Sequence, residues 1–182
     1  MAMLTILSCT AICLTLLAGL SLVFSILLTG VPSLSSSKSE VVDVVALLGL
    51  AKLPQHAAII DLGSGWGALL VALARAFPDA TVQGLELSPF PYLVSRLRTQ
   101  RLSNVVVRWG NFFSSGVESA DAIVCYLMPD LMAPVSDLLD QTVKPGACVV
   151  TNTFLFRGRV ISAARQGTGR GTIALYVWPA NH

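Results

Sequence analysis

Residues Ile59 to Leu70 read IIDLGSGWGALL: an apolar run, an aspartate, three glycines separated by single residues, then a second apolar run. Glycine takes positive φ without steric cost, so glycines at 63, 65 and 67 mark a chain that turns too tightly for side chains. The run before them has strand character and the run after them helix character, so the turn joins a buried strand to a helix. A unit of this kind is stable only among others like it. Its helix must lead back to a parallel neighbour through a right-handed crossover, and both sheet faces must then be covered.

The rest of the chain has the matching pattern. A capping box, Ser37 with Glu40, opens a helix through about Leu50, with Val41, Val44, Val45 and Leu48 on one face. Strands are expected at Ala57–Asp61, Thr81–Glu86, Val105–Trp109, Asp121–Leu127 and Ala147–Thr153. Helices are expected at Ala68–Ala76, closed by Pro78, at Pro91–Arg101, and at Leu131–Val143, closed by KPG. The tail, RVISAARQGTGRGTIALYVW, reads as two strands around a glycine-rich turn, an antiparallel hairpin at the sheet edge. The expected fold is α/β: a minimal doubly wound, Rossmann-like, mostly parallel sheet with that hairpin at its end.

One transmembrane helix is expected ahead of this domain. The chain is 54% hydrophobic and 12% charged, and much of the excess lies between Met3 and Leu28, where no side chain is charged. A helix of that length is roughly 37 Å long, enough to cross a hydrocarbon core of about 30 Å. A cleavable signal would have a basic start and a shorter apolar core; here the first basic residue is Lys38. The expected organisation is an anchor over residues 1–30, a Ser-rich linker over 31–39 and a catalytic domain over 40–182. Charge lies only on the C-terminal side of the anchor, which favours a cytoplasmic domain.

Cys9, Cys13, Cys125 and Cys148 form no CxxC, and His56 and His182 have no partners at ligand spacing, so no metal is expected. Arg96, Arg98 and Arg101 read as a solvated helix face rather than a lipid or nucleic-acid patch. With a net charge of +2 and no added recognition subdomain, nucleic acid is not the expected partner.

In such sheets ligands bind beyond the carboxyl ends of the strands, at the switch point. Gly63, Gly65 and Ala68 also satisfy the dinucleotide pattern, so Asp61 decides. A carboxylate at the mouth of the turn repels a pyrophosphate but attracts the ammonium group of S-adenosylmethionine. Gly63, Ser64, Gly65 and Gly67 would cradle that cofactor, and Glu86, followed by Leu87, would accept hydrogen bonds from the ribose hydroxyls. Asn111 stands where an adenine edge would be read, and Phe112 where a ring could stack on the base.

D-x-G-x-G-x-G, an acidic end to the second strand and G-N after the third, in this order, resemble class I S-adenosylmethionine-dependent methyltransferases. DLGSGWGALL, GLELSPF, CYLMPDLM and TFLF, behind an apolar N-terminus, resemble more narrowly the small membrane-anchored lysine methyltransferases. Eukaryotic members of that family modify the c-subunit of mitochondrial ATP synthase and the adenine nucleotide translocase. The chain departs from their pattern in several places. Trp66 and Ala68 stand where the family has Asp and Arg, Ser88 and Phe90 where it has Asn and Trp, and Asn111 where it has Asp. The resemblance implies N-methylation of a lysine on a membrane-associated protein.

Methyl transfer needs alignment and desolvation more than a general base. CYLMP, leaving the fourth strand, would line the acceptor slot, with the Cys125 carbonyl or the Tyr126 hydroxyl orienting the amine. Asp130 is expected to cap a helix. Two alternatives stay open from the residues: a small-molecule or lipid methyltransferase, and a non-catalytic tethered module that binds S-adenosylmethionine.

Overall fold

The computed structural model describes residues 2–29, 37–167 and 171–179. Seven strands form one sheet: β1 (Ala58–Leu62), β2 (Thr81–Glu86), β3 (Val105–Trp109), β4 (Ala122–Cys125), β5 (Cys148–Thr153), β6 (Ala163–Gln166) and β7 (Thr172–Val177). Their order is β3-β2-β1-β4-β5-β7-β6. β1 to β5 run parallel; β7 pairs antiparallel with β5, and β6 antiparallel with β7. The hairpin expected at the edge is present, but its second strand lies inside the sheet and its first forms the rim. Most of the linker expected over 31–39, and the hairpin turn at 168–170, lie outside the described residues.

Two apolar layers hold the sheet. On one face, α2 (Lys38–Leu48) and α3 (Ala68–Ala76) bury Val44, Leu47, Leu70 and Leu73 against Ile59, Val82, Val124 and Val150. α4 (Pro89–Thr99) packs beside α3 and over β3. On the other face, α5 (Pro129–Thr142) buries Val135 and Leu139 with Ile60, Ile123, Val149, Tyr176 and Trp178. Each fully buried side chain of this size contributes roughly 1.5–3 kcal/mol. Strands β1 and β4, buried on both faces, therefore read as nearly unbroken apolar runs.

Element ends differ from the sequence reading for local reasons. Both α4 and α5 begin two residues early because Pro89 and Pro129 occupy the first helical position, where a missing N–H costs nothing. Met128 holds the α5 cap position, so Asp130 sits in the first turn and caps nothing. β4 ends at Cys125, where its pairing with Leu62 of β1 ends, and residues 126–128 leave the sheet. The capping box of α2 is present: Glu40 N–H donates to Ser37 Oγ (3.3 Å) and Ser37 N–H to Glu40 Oε2 (2.7 Å). Within α2, Leu47 rather than Val45 is fully buried.

α1 (Ala2–Thr29) is a single helix. Its stretch Ala2–Ser21 is long and apolar enough to cross a membrane and is not buried by the domain. Thr10 and Thr15 donate their hydroxyls to the carbonyls of Ile6 and Ala11 one turn back, so the helix satisfies these groups itself. α1 meets the domain at α4, where Phe90 N–H donates to Ser21 Oγ (3.2 Å).

β2 carries a glycine whose role is packing. A Cβ at Gly84 would lie 2.5 Å from Leu70 Cδ1 and 2.9 Å from Ser64 Cβ, so the turn and α3 approach the sheet only because position 84 has no side chain. Gly84→Ala is expected to cost about 1–3 kcal/mol through overpacking. Thermal unfolding of the full chain in detergent, followed by circular dichroism, checks this; an unchanged melting temperature refutes it.

Candidate active site

The switch point lies between β1 and β4, and the glycine turn leaves β1 there. Gly63, Gly65 and Gly67 have φ of 75°, 52° and 77°, the left-handed region that β-carbons disfavour. Gly67 is also tightly packed: its Cβ would lie 2.4 Å from Ser95 Oγ and 3.0 Å from Ser95 Cα on α4. The N–H groups of Gly63 and Ser64 both donate to the Leu85 carbonyl (2.9 and 3.0 Å), which folds the turn over the end of β2. Ser64 is thereby drawn toward the sheet, with its side chain over Gly84.

Glu86 closes this loop, and its part in doing so had no local signal in the sequence. Its Oε2 accepts from Gly65 N–H (2.7 Å) and its Oε1 from Ser88 N–H (2.8 Å). The carboxylate therefore joins the glycine turn to the start of α4. Asp61, at the end of β1, is 3% exposed and Glu86 6% exposed. No lysine or arginine pairs with either among the described residues. Burial, and then the Glu86 charge, push the Asp61 carboxyl up to about 7. Two buried acids side by side favour a cationic ligand and oppose a pyrophosphate. These residues therefore fit S-adenosylmethionine, with its ammonium and sulfonium groups, and do not fit a dinucleotide.

At the end of β3, Gly110 N–H donates to the Glu86 carbonyl (3.0 Å), which keeps Asn111 and Phe112 beside β2. Asn111 Oδ1 accepts from Phe113 N–H (3.0 Å) and caps a short 3-10 turn, Phe112–Ser114. Phe112 is half-buried against the α5-side core, and the Leu87 carbonyl accepts from Trp109 Nε1–H (2.8 Å). Two departures from the family pattern meet here: the rings of Trp66 and Phe90 pack edge to face, 5.7 Å apart.

Tyr126 is half-buried where the chain leaves β4. Its neighbour Leu127 approaches the turn, with Cδ2 3.2 Å from where a Cβ on Gly63 would be. Cys125 is buried beside Asp61, and burial and that carboxylate push its thiol up to about 12, so it is inert. CYLMPDLM and TNTFLF, far apart in sequence, share a cleft of about 730 Å³ at the start of α5. Its walls include Asp130, Met132, Asp137, Phe154 and Leu155, and Tyr126 is not among them. Arg159 braces one side, donating to Ser136 Oγ (3.1 Å), pairing with Asp140 and lying 4.8 Å from the Trp178 ring centre. Thr153, also in the wall, has φ of 70°, rare for a β-branched residue.

The ANTKMT methyltransferase domain matches residues 61–163 of this chain. The chain belongs to that methyltransferase family. It is 26% identical to a protein-lysine N-methyltransferase of Saccharolobus islandicus over 144 residues, 72% of this chain and 85% of that one. A tRNA adenine-N6 methyltransferase of Porphyromonas gingivalis is 33% identical over 70 residues, 37% of this chain and 27% of that one. In fold it is similar to an RNA methyltransferase from Salinibacter ruber, solved with S-adenosyl-L-homocysteine. The TM-score is 0.73 at 23% identity, covering 82% of this chain and 96% of that one. The family member is thus a class I methyltransferase whose cofactor is S-adenosylmethionine. These relatives are named for different acceptors, so their kinship speaks for the donor.

The Asp61 shift has a consequence for stability. Its folded-state pKa lies above the unfolded value, so the fold penalises the ionised form. The penalty is absent below about pH 4 and complete above about pH 7. Without cofactor, stability should therefore fall as pH rises through that window. Asp61→Asn should raise stability at pH 8, by on the order of 2–4 kcal/mol, and flatten this part of the pH profile. Urea unfolding of the two proteins across pH 5–8 checks it; parallel profiles refute it.

Proposed function

We propose that this enzyme transfers a methyl group from S-adenosylmethionine to the side-chain amine of a lysine on a membrane-associated protein. α1 is the anchor in this reading, residues 40–182 form the catalytic domain, and that domain lies on the cytoplasmic side. The observation that carries the acceptor class is the cleft at the start of α5. It combines apolar walls, Met132, Phe154 and Leu155, with the carboxylates Asp130 and Asp137. Arg157 and Arg159 also line it, Arg159 being paired with Asp140, and the apolar length beside two carboxylates suits an aliphatic chain that ends in a cation. The relationship to a protein-lysine methyltransferase supports the same reading, and the exposed apolar length of α1 supports the membrane.

The cofactor supplies an electrophilic methyl group on a cationic sulfonium. Asp61 would pair with its ammonium, Glu86 with the ribose hydroxyls, and the Gly63–Gly67 turn, with Leu87, Asn111 and Phe112, would surround the remainder. Ser64 would contribute through its backbone, since its side chain lies over Gly84. A lysine amine attacks only when neutral, and its ordinary pKa is near 10.4. Asp130 and Asp137 would hold the amine cationic as it enters. Desolvation by apolar walls and the positive charge of the sulfonium lower that value near the donor, where the proton would be lost to solvent. The Tyr126 hydroxyl or the Cys125 carbonyl, which lie outside the walls of the cleft and just before Pro129 in the chain, would orient the free lone pair once the amine has passed beyond the cleft. So oriented, the lone pair would meet the methyl group that the bound cofactor would supply, the positive charge passing from sulfur to the methylated nitrogen.

Pairing Asp61 with an ammonium requires it to be ionised. At pH 7 cofactor binding should release about half a proton per molecule, and affinity should weaken from pH 8 to pH 6. Calorimetry in buffers of different ionisation enthalpy reads the proton count. Asp61→Ala and Gly65→Arg should lose binding altogether, and cofactor binding that survives in both would remove the turn from the site.

Purified full-length enzyme with radiolabelled cofactor and membrane extract separates the acceptor classes. Label on a protein lysine is the expected result, and label confined to lipid or small molecules overturns the proposal, as does no turnover. Tyr126→Phe should reduce turnover about tenfold, the worth of one hydrogen bond, with cofactor affinity unchanged. Undiminished turnover would take Tyr126 out of the mechanism.

A further inference from the structure

The stretch between Glu86 and Glu118 contains no acidic residue and four arginines, at 96, 98, 101 and 108. Much of it is α4 and the strand that follows, one edge of the molecule. α4 turns Pro91, Ser95 and Thr99 inward. By helical spacing its outward face carries Leu93 and Leu97, with Arg96 on one side and Arg101, just past the helix end, on the other. Leu93 is 58% exposed, Leu97 65% and, at the end of the neighbouring strand, Trp109 63%. Trp109 leans on Tyr92, with ring centres 6.4 Å apart, and Arg96 Nη1 donates to Tyr92 Oη (3.2 Å). The arginines alone read as a solvated face; the leucines and aromatic rings between them do not suit one.

The position of this face is set by α1. The uncharged run Met3–Leu28 is roughly 37 Å of helix, somewhat longer than a hydrocarbon core of about 30 Å. Ser21, in the C-terminal half of that run, accepts the Phe90 N–H. The start of α4 is thus held against the half of α1 nearer the domain, the side on which the helix would leave the bilayer. Leucine, phenylalanine and tryptophan beside arginine are the composition of a helix lying in an interface.

We infer that the outward face of α4 rests on an anionic bilayer surface, with Leu93, Leu97 and Trp109 in the headgroup boundary and Arg96 and Arg101 on anionic headgroups. This rests on the reading of α1 as a membrane anchor and adds a second contact, one that orients the domain.

The test uses the full-length chain in nanodiscs carrying brominated acyl chains, either pure phosphatidylcholine or a mixture with phosphatidylserine. Trp109 quenching is taken as the difference between the native chain and Trp109→Phe. Quenching should be stronger in the anionic discs and weaken with salt. Each arginine near an anionic surface favours docking about fivefold, so Arg96→Gln with Arg101→Gln should shift the docked-to-free ratio about 25-fold toward free. Cofactor affinity should be unchanged in the double variant, since neither side chain touches the glycine turn. Should Trp109→Phe fail to fold, total tryptophan quenching in the double variant against the native chain reads the same shift. A chain that alkaline carbonate removes from membranes overturns both the anchor and this docking. A chain that stays in the membrane with quenching equal in the two disc types overturns the docking alone. So does single-stranded RNA binding that the double variant loses while quenching is unaffected.

Discussion

The site depends on one carboxylate. Glu86 accepts N–H groups from Gly65 and Ser88, and so ties the end of β1, the end of β2 and the start of α4 into one unit. Charge-assisted hydrogen bonds of this kind contribute roughly 1.5–3 kcal/mol each. They hold a turn whose three glycines have little conformational preference of their own. The same charge, close to Asp61 in a buried setting, raises that residue's affinity for a proton. One side chain therefore shapes the crevice and makes it receptive to a cation. Placing a second buried acid there costs stability in the free protein, and a positive ligand offsets the cost.

Much of the sheet was legible in the sequence because parallel strands buried on two faces must be apolar along their length. The glycine turn was legible too, since only glycine tolerates those backbone angles. Pairing order was not: nothing local in AARQ or TIALYV says that β7 inserts between β5 and β6. The early starts of α4 and α5 were hidden by prolines that look like breakers and serve as first helical residues. In the site, Asp61 and Glu86 were readable as acids at strand ends. The bond from Glu86 to Gly65 spans 21 residues and follows from the fold. Asn111 looked free to read a base, yet its oxygen already holds the turn that follows it.

The departures from the family pattern become coherent once the contacts are known. Trp66 and Phe90, both read from the sequence as departures from the pattern it resembles, pack ring against ring. That aromatic contact braces α4 against the edge of the turn. The backbone of Phe90 also meets α1, so the apolar helix, this aromatic pair and the glycine turn form a continuous series of contacts.

The hydrogen bond between Ser21 and Phe90 has a geometric implication for specificity. With α1 taken as the anchor, it works as a ruler. The crevice is carried at a set height beside the lipid, since the turn lies next to the element that α1 touches. An enzyme mounted in this way can select by altitude, admitting a side chain that reaches the right level above the bilayer and passing over identical chemistry that lies higher. A small catalytic domain would then need little knowledge of its target's sequence.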